Sequence, residues 1–138
     1  MRAWSALLLL LLVLAGPAAA GDGARAEARA VIARQEQALS RDDAQTAYDQ
    51  AAPAIRALFP NADLFIGMVR TQYRPVYRHR SFVFGEARDT EAAGVVQSVA
   101  IQDEYGVDWT AEYSLVRDAD GQWRITGCRL TKAPGTSA

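Results

Sequence analysis

The hydrophobic period of this chain changes once, near Tyr73, and that change sets the fold class. Before it, apolar residues recur at helical spacing; after it, they alternate. From Ala24 to Arg41, the residues Ala28, Ile32, Gln35 and Leu39 share one face, with Val31 and Ala38 at its flanks. That spacing predicts a long amphipathic helix. Asp42 or Asp43 is placed to cap a second helix, which carries Ala44, Ala47, Tyr48 and Ala51 and stops at Pro53. "PAIRALFP" reads as a short apolar turn ended by Pro60, and Asn61 caps a third helix through Gln72, with Phe65, Met68, Val69 and Gln72 inward.

Four strand signals follow: Phe82 to Arg88, Val95 to Asp103, Val107 to Arg117 and Gln122 to Thr131. "DADGQ" fits a three-residue hairpin with Gly121 in the left-handed position, which sets Leu115 opposite Ile125 and Tyr113 opposite Gly127. Trp109, Ala111, Tyr113 and Leu115 then form an apolar face, with Asp108, Thr110, Glu112 and Ser114 on the polar one. Trp123, Ile125, Cys128 and Leu130 share a side only if the strand slips by one residue, so Gly127 is expected at a bulge. Helices followed by an antiparallel meander predict an α+β fold: three N-terminal helices packed in a curved four-stranded antiparallel sheet.

The first twenty residues, "MRAWSALLLLLLVLAGPAAA", have Arg2, an apolar run from Ala6 to Ala15, and small residues at Ala18 and Ala20. This is the pattern of a cleavable secretory leader. The run is short of the roughly 20 apolar residues that a bilayer requires. No cysteine follows it to carry a lipid, since Cys128 is the only one. Cleavage after Ala20 predicts a periplasmic or secreted domain over residues 21–138, with the membrane involved only through export. Losing Arg2 takes the formal charge from −1 to −2, so no overall basic field draws the domain to nucleic acid. A lone cysteine forms no intramolecular disulfide; Cys128, between Ile125 and Leu130, is expected in the core.

Against that background, "YRPVYRHRS" at residues 73–81 stands out as a basic and aromatic segment. Pro75 turns Arg74 away from helical geometry and makes the chain extended. Counting back by two from Phe84 and Phe82 puts Arg80 and Arg78 on their face, with Tyr77, His79 and Ser81 on the other. Two guanidiniums would then stand at a cavity mouth, ready for a carboxylate or phosphate on a ligand lying against Phe82, Phe84, Trp109 and Tyr113. A simple hairpin at Arg88 to Gly94 allows a second reading, in which Arg80 opposes Gln102 and Arg78 opposes Glu104, and cross-strand pairing uses up the charge.

The element order and the ending "DGQWRITGCRL" resemble the nuclear transport factor 2-like superfamily, also called cystatin-like or ketosteroid-isomerase-like. More closely, "DDAQTAYDQAAP", "IRALFP", "YRPVYRHRSFVFG" and "WRITGC" resemble the exported bacterial family of domain of unknown function 4864. The superfamily resemblance implies a cone-shaped cavity between sheet and helices, and a homodimer through the outer sheet face. Its members range over isomerases, dehydratases, ligand binders and association domains, so fold alone does not choose among them.

No cofactor is expected. His79 is the single histidine, and with one cysteine it cannot supply the usual metal ligands. The chain has no serine elbow, phosphate loop or dinucleotide fingerprint. An isomerase-like site would draw on Tyr48, Asp49, Tyr73, Asp103 or Tyr113. Tyr48 and Tyr113 sit where buried aromatics with satisfied hydroxyls are ordinary, and no catalytic residue is assigned. The expectation is a binder of a small amphipathic or anionic ligand, with an isomerase or dehydratase and a dimeric interaction module as alternatives.

Overall fold

The computed structural model describes residues 20–135, so the leader lies, except for Ala20, outside the described residues. The helices are α1 (Ala20–Ser40), α2 (Ala44–Asp49), α3 (Pro53–Arg56), α4 (Ala62–Gln72) and α5 (Arg74–Tyr77). Four strands follow: β1 (His79–Asp89), β2 (Val95–Asp103), β3 (Asp108–Arg117) and β4 (Trp123–Lys132). They form one antiparallel sheet in sequence order. The expected α+β meander is present; the short turn expected in "PAIRALFP" is helix α3, and α5 is an additional helical turn.

The predicted caps are the observed ones. Asp43 accepts from Thr46 N at 3.2 Å and Asn61 from Leu64 N at 2.9 Å, each satisfying a donor at a helix start. Ala28, Val31, Ile32 and Leu39 of α1 are buried and pack with Val99, Ile101, Ala111, Tyr113 and Leu115 of the sheet. Each large aliphatic side chain buried in this way contributes about 1.5–3 kcal/mol. On α4, Phe65 and Val69 are buried and Met68 is half-buried, but Gln72 is exposed, so the apolar stripe ends one turn before the helix does.

Tyr73 to Tyr77 departs from the extended chain expected at Arg74. The segment forms the helical turn α5, with Pro75 in its first two positions. Proline is accommodated there because those amide positions have no carbonyl to pair with.

The register of β1 is the second correction. His79 pairs with Asp103 but Ser81 pairs with Gln102, leaving Arg80 as an extra residue, and a further shift falls between Phe84 and Ala87. Gln97, fully buried, covers the second bulge by donating to the Gly85 and Glu86 carbonyls at 3.0 and 3.3 Å. The β3–β4 hairpin gives Leu115 opposite Ile125 as expected, but Tyr113 faces Cys128 instead of Gly127. The slip is the one expected near Gly127. Thr126 is the extra residue, and its hydroxyl donates to the Ser114 carbonyl at 3.0 Å. The outer edge of β4 is closed by a short parallel bridge between Ala51 and Ile125.

Gly94, in the β1–β2 turn, is buried, and a Cβ placed there would lie 2.7 Å from the Leu115 carbonyl oxygen and 2.9 Å from Thr90 Oγ1. The first neighbour is backbone of an adjacent strand and cannot swing away. Gly94→Ala is expected to destabilise the domain by about 1–3 kcal/mol, the usual range for overpacking, as measured by urea unfolding; an unchanged midpoint would contradict this packing.

Candidate functional site

The basic segment divides into four separate tasks. Arg74 makes a two-pronged contact with Glu104, at 2.8 and 3.3 Å. The Arg78 guanidinium lies 3.8 Å from the Tyr77 ring centroid and donates at 2.9 Å to the Leu39 carbonyl at the end of α1, which also accepts from Asp42 N at 3.2 Å. It also reaches Asp42 Oδ2 at 3.1 Å, while the Tyr77 hydroxyl donates to Oδ1 of the same carboxylate. That Tyr77 hydrogen bond outweighs the opposing effect of burial and, with Arg78 and Arg70, holds Asp42 below the usual carboxylate range.

Arg80 is exposed and lies across the β2–β3 turn, donating through Nε to the Glu104 carbonyl at 3.2 Å. The expected parity is therefore corrected. The unpaired residue at Arg80 reverses the alternation, so it is His79, not Arg80, that shares the side of Phe82, with ring centroids 5.1 Å apart. The opposition of Arg80 to Gln102 fails for the same reason.

His79 is enclosed. Its Nδ1 lies 2.9 Å from the Pro75 carbonyl and its Nε2 2.9 Å from Glu36 Oε1. A carbonyl only accepts, so Nδ1 donates to it, and Nε2 faces the Glu36 carboxyl. Glu36 was not singled out in the sequence. The only available signal was a charged residue on the flank of an otherwise apolar helical face.

The cavity lies elsewhere, between α4, the α2–α3 connection and the sheet. It has a volume of about 110 Å³. Phe65, Met68, Val69, Val76, Ile55 and Ile125 supply apolar walls; Gln35, Tyr73, Tyr113 and Cys128 supply the polar atoms. None of its lining residues carries a formal charge. Of the six side chains proposed from the sequence, Tyr113 lines this cavity and Arg78, Arg80, Phe82, Phe84 and Trp109 do not. Phe82 instead packs edge-on against Phe84 and Tyr113, at centroid separations of 5.8 and 6.4 Å. Trp109 donates Nε1 to Asp103 Oδ2 at 2.9 Å.

Asp103 has a structural task. Its other oxygen accepts from the Tyr105 and Val107 amides at 2.8 and 2.9 Å, tying down the β2–β3 turn. Burial pushes its carboxyl up, but the hydrogen bonds from Trp109, Val107 and Tyr105 together prevail and hold it below the usual range. Asp49 is exposed and accepts from Gln45. The Tyr48 hydroxyl is occupied by the Arg56 and Phe59 carbonyls at 3.0 and 2.6 Å.

A family model described as domain of unknown function (DUF4864) matches residues 22–138. The chain belongs to this family. Neither a curated protein nor a solved structure matches it. The family match spans the helices and the sheet alike, so the cavity is built wholly from the matched region.

Tyr113 and Cys128 meet on the cavity wall as cross-strand partners. Burial raises the Tyr113 phenol well above its ordinary value, and the adjacent Cys128 adds to the effect. Burial likewise pushes the Cys128 thiol up to about 12, so it stays protonated and a poor nucleophile. Folded chain at pH 8 should therefore react with iodoacetamide on the order of 100-fold more slowly than urea-unfolded chain. Unfolded thiol loses its proton near 8.5 while folded thiol keeps it to about 12, so this group's stabilisation is present below pH 8.5 and declines as pH rises toward 12. Alkylation at equal rates in the two states would contradict the buried, neutral thiol.

Proposed function

We propose that this chain is an exported binding domain of the nuclear transport factor 2-like class, and that its ligand is small, uncharged and mostly apolar. The observation that carries the reading is the preformed cavity of about 110 Å³ whose lining residues include no ionised side chain. An apolar cavity of about 150 Å³ accepts a benzene ring. The space here suits a small ring or a branched chain, either as a whole molecule or as the buried part of a larger one. Gln35, Tyr73 and Tyr113 offer neutral hydrogen-bonding groups to fix its orientation.

This reading replaces the anionic ligand suggested by Arg78 and Arg80, because those guanidiniums are engaged with Leu39, Asp42 and the β2–β3 turn. Export is supported by the leader pattern of residues 1–20. The superfamily placement is supported by helices packed against a four-stranded antiparallel meander. For acid–base catalysis the cavity wall has no carboxylate: Asp49 and Asp103 both lie outside it.

The test is native mass spectrometry of the protein recovered gently from its own host, alongside Val69→Phe, which fills the cavity from a wall residue. A reproducible neutral adduct is expected on the parent chain and at least about tenfold less on the variant, at the cost of about 1–3 kcal/mol of stability. The Arg78→Ala and Arg80→Ala variants should keep the adduct. An adduct retained by Val69→Phe but lost with the arginines would overturn the reading, as would a bare chain that also fails to bind pyrrole, a five-membered ring smaller than benzene, in ligand-observed NMR.

A further inference from the structure

At the end of the molecule remote from the basic segment, the first turn of α1 runs beside the last residue of β1. A Cβ on Gly21 would lie 3.1 Å from Asp89 Oδ2, so the α1 backbone passes close to this carboxylate. Asp89 is already gripped by Arg25, whose Nε and second guanidinium nitrogen donate to its two oxygens at 3.2 Å each. A cleft of about 580 Å³ opens at this point, lined among others by Gly21, Gly23, Glu27, Asp89 and Arg117. Glu27 is held by Trp123 Nε1 at 2.8 Å and Arg117 at 2.9 Å, leaving Asp89 and Asp22 as the acids nearest the start of the helix.

The same position is where the leader pattern ends, at Ala18-Ala19-Ala20. We infer that leader removal creates the Gly21 α-ammonium and that this group docks on Asp89 beside Arg25, a contact the fold gains only in its processed form. The inference rests on the exported reading. The covalent step is hydrolysis of the Ala20–Gly21 peptide bond by a host signal peptidase: water adds across it, Ala20 leaves as a carboxylate on the leader, and Gly21 keeps the amine, which takes up a proton.

An ammonium at a helix start is normally opposed by the helix dipole, whose positive end lies there. Asp22, in the first turn, and Asp89, from β1, provide the opposite charge, while Arg25 already shares the Asp89 carboxylate. The new terminus thus completes a small ion cluster joining α1 to the far end of the sheet.

The experiment expresses the full chain, leader included, in an exporting bacterial host and reads its start by intact mass and N-terminal sequencing. The amines are then labelled by reductive ¹³C-methylation and titrated by NMR; with Lys132 the only lysine, the processed chain has just two to distinguish. The expected start is Gly21, with its amine titrating at roughly 9 against an ordinary value of about 8. Asp89→Asn should return it toward the ordinary value, whereas Arg25→Gln, which breaks only the neighbouring pair, should keep it raised. A retained leader or a different start overturns both export at this site and the docking. A Gly21 start with an ordinary amine, indifferent to Asp89→Asn, overturns the docking and leaves export standing.

Discussion

Burial of α1 against the sheet is the interaction on which the other elements depend, because this helix packs on β1, β2 and β4 alike. Its apolar face supplies the packing, with Ile32 and Leu39 fully buried. Its orientation is fixed by polar ties, each to a different neighbour. Arg25 meets Asp89 at the end of β1, and Glu27 meets Trp123 at the start of β4. Gln35 donates to the Ala47 carbonyl of α2, Glu36 meets His79, and the Leu39 carbonyl accepts from Arg78. Apolar burial is indifferent to a small rotation of the helix; these contacts are not, and they select one arrangement.

The same economy explains why so basic a segment leaves the cavity uncharged. One unpaired residue, Arg80, sends its own guanidinium outward and brings His79 under α1, where a carboxylate and a carbonyl enclose the ring. Arg74 and Arg78 are directed to Glu104, Asp42 and the end of α1. The cavity is left to neutral groups, and the chemistry suited to it is shape-selective apolar contact with a few hydrogen bonds, not charge recognition.

Strand order, the hairpin at Gly121 and the caps at Asp43 and Asn61 were legible because each leaves a local mark: alternation, a glycine at positive φ, or a short polar side chain just ahead of an apolar run. The slip at Thr126 was legible through its consequence, since Cys128 and Leu130 needed the same side as Ile125. The turn at Arg74–Tyr77 was not, because proline both disfavours a helical residue before it and fits the first positions of a new helix. The Arg80 bulge was hidden as well. No glycine marks it, and the contact that goes with it, His79 to Glu36, joins residues 43 apart in the chain. Placement of the candidate site failed at that point: Tyr113 was found from its own strand, but the rest of the wall comes from α1, the segment from Ala51 to Val76 and β4, and is assembled only by tertiary packing.

The apolar cavity is tested most directly in a crystal of the protein pressurised with xenon, which enters dry apolar cavities and is readily located by its scattering. A xenon site is expected between α4 and the sheet, in contact with Phe65, Val69 and Ile125. A space filled by ordered water or by the protein's own side chains, with no xenon in it, would contradict a preformed apolar ligand site.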